Sequence, residues 1–204
     1  MRIAIFGAGG VGGYFGGRLA HAGKDVVFIA RGDHLKAMQN GGLKVDSIAG
    51  DFHVARVEAT DDPAAVGHAD MVMVAVKLYD TDEAVRACAP LVGPVSTVAS
   101  FQNGVTGGDA LTAAFGPERV IGGTAAIAAM ISAPGVLTHT GAIATIAFGE
   151  WDGIASPRAE ALLGAFENAG VEATLAGDIT AAIWSKFVFL STFSAITCAL
   201  RLPI

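Results

Sequence analysis

The glycine cluster Gly7-Ala8-Gly9-Gly10-Val11-Gly12 limits what this chain can fold into more than any other stretch. It follows a short apolar run, Ile3–Phe6, and precedes Val11–Ala22, which reads as a helix. In a chain with 27 glycines the GxGxxG spacing alone says little; its place between a strand and a helix gives it weight. Gly7 permits the tight turn, Gly9 lets backbone N–H groups approach a pyrophosphate on the positive end of the helix, and Gly12 lets that helix pack close to a sheet. A site for NAD expects an acid at the end of the second strand, about 20 residues on, to hold the ribose 2′-OH. Here the second strand ends Phe28-Ile29-Ala30-Arg31, with no acid. A guanidinium suits a 2′-phosphate, so the expected cofactor is NADP(H) rather than NAD(H); a solvated loop arginine is the plainer alternative.

The rest of the chain extends this pattern. Asp25–Ala30, Asp70–Val76 and Val95–Phe101 read as buried strands, and Leu35–Asn40, Thr81–Ala89, Asp109–Phe115 and Pro157–Ala169 as helices. Residues 43–58 alternate weakly and suggest a minor ribbon; 120–149 divides into strand-like pieces at 120–129, 136–140 and 143–149. Strand and helix alternate over the first 120 residues, which predicts an α/β fold with a doubly wound, mainly parallel sheet. Ligands bind outside the carboxyl ends of such strands. The glycine loop, Lys77 and Asn103 all fall there, although a polar residue on a loop is as often merely solvated.

Asp178 reads as the N-cap of a long last helix, Ile179–Leu200, apolar nearly all round. Such a helix needs covering on several sides, by a partner chain or by further helices of a longer protein. The expected division is therefore 1–177 as the dinucleotide-binding domain and 178–204 as the first helix of a second, all-α domain. Lys186 is the one charge inside that helix. It either faces a polar cleft, sharing a face with Leu190, Ser194 and Thr197, or snorkels to the surface.

Composition narrows the function classes. The chain has 204 residues, 52% apolar and 16% charged, which excludes a disordered chain. A spanning helix needs about 18–20 continuous apolar residues. The longest uncharged run, Val120–Gly149, is broken by Pro134 and five glycines, and Phe187–Leu200 is too short, so no membrane span is expected. The start lacks the long apolar stretch of a signal peptide, so a cytoplasmic protein is expected. The net charge is −6 and no two basic residues stand closer than Arg31 and Lys36, which argues against nucleic acid. Cys88 and Cys198 are isolated and the five histidines form no HxxxH or HExxH, so no metal is expected.

The segments IAIFGAGGVGG (3–13), ARGDH (30–34), VAVK (74–77), QNG (102–104), GGTAAIAA (122–129) and IWSKF (183–187) together resemble the ketopantoate reductases, in order along nearly the whole chain. The resemblance implies a Rossmann-type NADP(H)-binding domain followed by a helical substrate and dimerisation domain, whose further helices family members usually carry. It implies hydride transfer to the 2-keto group of a small branched 2-oxo acid, 2-dehydropantoate in first place, on the route to pantothenate and coenzyme A. Lys186 matches the catalytic lysine that protonates the nascent alkoxide, and Asn103 the asparagine beside nicotinamide and substrate. Gly7, Ala8, Gly9, Gly10, Val11 and Gly12 match the phosphate loop, Arg31 the 2′-phosphate arginine, Lys77 a cofactor-contacting lysine and Ala128 a backbone contact to the cofactor. The family carries asparagines four and eight positions after the lysine; here those positions are Leu190 and Ser194. Ser194 keeps a hydroxyl for substrate, whereas Leu190 cannot hydrogen-bond one. That departure leaves a different 2-oxo substrate, or a non-catalytic NADP(H)-binding module, as the alternatives. A homodimer whose protomers complete each other's helical domain is a further expectation, drawn from the apolar helix 179–200.

Overall fold

The computed structural model describes residues 1–202, so the last two residues of the expected 178–204 segment lie outside it. The strands are β1 (Arg2–Phe6), β2 (Asp25–Ile29), β3 (Leu43–Ser47), β4 (Phe52–Val54), β5 (Glu58–Thr60), β6 (Ala69–Val74), β7 (Val92–Ser100), β8 (Val120–Ala133), β9 (Val136–Gly149) and β10 (Glu172–Leu175). The helices are α1 (Gly10–His21), α2 (Gly32–Gly41), α3 (Thr81–Cys88), α4 (Gly107–Phe115), α5 (Pro157–Asn168) and α6 (Ile179–Leu200).

The sheet runs β4-β3-β9-β8-β7-β6-β1-β2-β5, with β10 paired to β9. Within it, β5-β2-β1-β6-β7-β8 is parallel throughout. The chain leaves β1 toward β2 and β5, then returns to the other side of β1 for β6, β7 and β8. This is the expected doubly wound order, and its reversal lies between β1 and β6, where such sheets bind ligands. Both faces of β1 are buried: Ile3 and Ile5 enter one apolar layer, Ala4 and Phe6 the other. A strand covered on both sides has no polar face, which is why it reads as one apolar run. Helix α1 lies close on the sheet because its inner face is glycine; a Cβ at Gly16 would sit 2.6 Å from Ile5 Cγ1. Phe166 on α5 extends the same core, its ring 6.4 Å from Phe15 and 5.9 Å from Phe148.

Three segments differ from the sequence expectation. The 43–58 ribbon is an antiparallel hairpin, β3–β4, and a separate short strand, β5, that completes the parallel sheet beside β2. The three pieces in 120–149 are two long antiparallel strands, with Gly141 inside β9. Their register shifts between Ile127 and Ala129, and a Cβ at Gly141 would sit 3.0 Å from the Ala128 Cβ. Strand β10 was not anticipated; it adds in parallel to the far half of β9.

Helix α6 has the expected bounds and cap: the Asp178 carboxylate accepts from the Ala181 N–H at 2.8 Å. Only Ile179 in it is buried, while Trp184 (50%), Phe189 (64%) and Leu200 (62%) are exposed. Its half-buried face comprises Ala182, Ile183, Lys186, Leu190, Phe193 and Thr197. Among the described residues it is the one helix long and apolar enough to cross a membrane, with an 18-residue window of mean hydropathy 1.5. The uncharged run starts only at Phe187, whereas the apolar helix runs from Ile179 and contains Lys186. That lysine ties the early turns of α6 to β8 through the Ala125 carbonyl.

Candidate active site

The site begins where β1 ends. Gly7 takes φ +103°, a conformation that disfavours any side chain, and its N–H donates to Ile29 O at 3.1 Å. The chain then enters α1 with Gly9 at the N-cap, no side chain capping the helix and no acid in its first turn. Its first N–H groups and its positive end are left for an anion. The other glycines are required by the protein itself: a Cβ would lie 2.1 Å from Gly7 O at Gly12, and 2.0 Å from Ala129 O at Gly10. At Gly9 a Cβ would meet no protein atom within 4 Å and φ is an ordinary −77°. Nothing in the fold demands glycine there, so the open space fits an approaching pyrophosphate.

A cavity of about 710 Å³ opens over this loop. In strand order it is lined by Asp61 after β5, Arg31 after β2, the Gly7–Val11 loop after β1, Lys77 after β6, Asn103 after β7, and Ala129 and Ile131 on β8. The cavity therefore crosses the carboxyl ends of five neighbouring parallel strands. It is large enough for a cofactor-sized ligand. Arg31 is exposed at its mouth, with its guanidinium 3.9 Å from Asp80. Lys77 is exposed, and its carbonyl accepts from the Gln102 amide at 3.3 Å.

Lys186 reaches the site from α6. Its ammonium donates to Asn103 Oδ1 at 2.8 Å and to the Ala125 carbonyl on β8. Two residues 83 positions apart thus meet beside the cavity. Both acceptors are neutral, and burial brings the Lys186 pKa down from 10.5 to about 8. A lysine held on these two acceptors is turned into the protein and does not snorkel to solvent.

Ketopantoate reductase PanE/ApbA is the family whose model matches residues 3–153. The chain belongs to this family. It is 33% identical over 206 residues to an uncharacterized oxidoreductase, YkpB, of Bacillus subtilis, covering all of this chain and 67% of that protein. A 2-dehydropantoate 2-reductase of Pyrococcus abyssi is 36% identical over 196 residues, 96% of this chain and 63% of that protein. Among solved structures, 2-dehydropantoate 2-reductase from Geobacter metallireducens superposes with a TM-score of 0.93 at 36% identity, over 100% of this chain and 67% of that one. The chain thus spans about two thirds of the length of the relatives it matches.

Two of the residues matched to the family stand apart from the cavity. Ala128 is exposed where the β8–β9 register shifts, and it is its neighbour Ala129 that lines the cavity and packs on Gly10. Ser194 is exposed, and its carbonyl accepts from the Thr197 hydroxyl at 3.1 Å. Eight helical steps leave it about 80° round the helix from Lys186, so Phe193 takes the half-buried face instead. Sequence reasoning also missed Gln102 and His34. Gln102 is buried, accepts from Ser100 Oγ at 2.9 Å and donates to Thr81 Oγ1 at 2.9 Å, which pins the loop after β6 to the end of β7. The QNG segment had pointed at Asn103 alone.

Proposed function

We propose that this chain carries the cofactor site and the proton donor of an NADPH-dependent reductase of branched 2-oxo acids. The observation that carries the reading is the Lys186–Asn103 hydrogen bond at the edge of the glycine-loop cavity. When bound, the reduced nicotinamide supplies a hydride to the keto carbon. The α1 N-terminus and the Gly7–Val11 backbone would hold the pyrophosphate, and Arg31 the 2′-phosphate. Lys186 holds a proton on Nζ and delivers it to the oxygen as the C=O becomes C–O⁻. Asn103, its Oδ1 occupied by Lys186, has its amide N–H groups left to orient the keto acid. After transfer the neutral lysine regains its proton from solvent.

The relatives named 2-dehydropantoate 2-reductase support 2-dehydropantoate as the substrate. Leu190, on the half-buried face one turn beyond Lys186, favours a related 2-oxo acid that needs no hydrogen bond at that position. The test is NADPH oxidation with a panel of branched 2-oxo acids. Highest kcat/KM on 2-dehydropantoate supports the first substrate; preference for a more apolar acid supports the second. The cytoplasm is the compartment in which such a metabolic reduction fits.

Arg31→Asp tests the cofactor assignment. A hydrogen-bonded charge pair contributes about 1.5–3 kcal/mol, so the NADPH-over-NADH ratio of affinities should fall about tenfold or more. An unchanged ratio would remove Arg31 from this role.

A further inference from the structure

The cavity wall contains a histidine to which neither the family resemblance nor the proposed chemistry gives a task. His34 stands in the first turns of α2, half-buried and lining the cavity. Its Nε2 lies 3.0 Å from the carbonyl of Ala8, in the glycine loop 26 positions away. Its Nδ1 lies 3.0 Å from the backbone N–H of Gly135, in the β8–β9 turn 101 positions away.

We propose that His34 is a positioning residue that clasps the glycine loop to the β8–β9 turn and so holds the loop in its dinucleotide-binding geometry. The partners assign the ring's proton. The Gly135 N–H can only donate, so Nδ1 must accept; the proton is then on Nε2, which donates to Ala8 O. Burial pushes the imidazole pKa down, offset in part by the Ala8 hydrogen bond, and the neutral ring is the form that can make both bonds. Anchoring the Ala8 carbonyl fixes the plane of the Ala8–Gly9 peptide, and hence the direction of the Gly9 N–H, which points opposite to it. A second contact makes the hairpin a rigid support: the Ala129 carbonyl packs against Gly10 so closely that no side chain fits between them. The loop is thus held from two sides by one hairpin. That same hairpin receives Lys186 on Ala125, so it sets the cofactor loop and the proton donor in one frame.

The inference rests on the dinucleotide reading, and three variants separate the two. His34→Ala removes both bonds, His34→Asn keeps an acceptor at the Nδ1 position, and His34→Gln keeps a donor that reaches Ala8. In the ligand-free protein, amide hydrogen exchange at Gly135 should speed up in His34→Ala and His34→Gln and stay slow in His34→Asn. The KM for NADPH should rise about tenfold in His34→Ala, for the loss of hydrogen bonds to the loop, with partial rescue in His34→Gln. The kcat at saturating NADPH should stay within about twofold, because His34 touches none of the reacting groups; loss of a transition-state interaction would instead lower kcat. Unchanged Gly135 exchange in His34→Ala, or a fall in kcat with KM unmoved, would overturn the clasp. If the wild-type protein bound neither NADPH nor NADH, the cofactor reading would fall, and Gly135 exchange would decide the clasp by itself.

Discussion

Replacing Lys186 by methionine is expected to lower kcat by about 10²–10⁴-fold, the usual contribution of a positioned acid or base. KM for NADPH should change little, because Lys186 contacts Asn103 and Ala125 and does not line the cofactor cavity. Methionine has a similar length and no charge, so the variant also separates catalysis from packing. Folding lowers the Lys186 pKa from 10.5 to about 8, so the folded state disfavours the ammonium. That cost is fully present below pH 8 and is relieved as the pH climbs from about 8 toward 10.5. The ammonium thus adds no charge stabilisation at neutral pH, and the variant, which gives up two hydrogen bonds but no ion pair, should lose no more than about 1–3 kcal/mol of stability. Thermal denaturation and steady-state kinetics on one preparation check both statements. A large loss of stability alongside the loss of rate would make Lys186 a structural residue.

The second large effect is expected at Gly9. Gly9→Asp should leave the fold as stable as the parent or slightly more so: the backbone there is ordinary, no protein atom crowds the new Cβ, and aspartate is a preferred N-cap beside the positive helix end. The same carboxylate would occupy and repel the place of the pyrophosphate. Affinity for NADPH should fall at least about a hundredfold, given some 1.5–3 kcal/mol for each charge-assisted hydrogen bond forgone. Gly12→Ala is the contrasting case. Its Cβ would sit 2.1 Å from the Gly7 carbonyl and 2.8 Å from Ile5 Cγ2, so the helix must move off the strand. Overpacking of that kind costs about 1–3 kcal/mol, and the loss should show in thermal denaturation before any ligand is added. Calorimetric titration with NADPH and melting curves for both variants separate a glycine kept for the ligand from one kept for the fold. A Gly9→Asp protein that binds NADPH normally would overturn the phosphate-loop assignment.

These contrasts show what the sequence could convey. The GxGxxG spacing separates Gly9, kept for a ligand's approach, from Gly12, kept for helix packing, and the contacts agree; that Gly10, an x position of the motif, is pressed on the Ala129 backbone is visible only in the fold. The parallel strands were legible because two-sided burial makes them continuous apolar runs, and the start of α6 because Asp178 is a capping residue ahead of an apolar stretch. Strands β5 and β10 were not: Glu-Ala-Thr and Glu-Ala-Thr-Leu are short, half-exposed segments whose pairing is decided by neighbours. The β8–β9 hairpin is alanine-rich with a glycine inside it, so neither its length nor its register shift leaves a periodic signal. The extra residues of that shift lie on β9, so β8 keeps its alternation and presents Ala129 and Ile131, not Ala128, to the cavity. Lys186 could be singled out as a charge in an apolar helix, but its hydrogen bond to Asn103, 83 positions away, is visible only in the fold. His34 depends on a backbone N–H 101 positions away, which no local pattern announces.

The central claim is that a burial-tuned Lys186 is the acid of an NADPH-linked keto-acid reduction. The pH dependence of kcat/KM for the 2-oxo acid tests it most directly, measured for the wild-type protein and for Lys186→Met. The predicted wild-type profile is level through neutral pH and falls about tenfold per unit above the Lys186 pKa of about 8, with that limb absent from the residual activity of the variant. A wild-type profile that stays level to pH 10, or a limb near 8 that survives in Lys186→Met, would contradict the account.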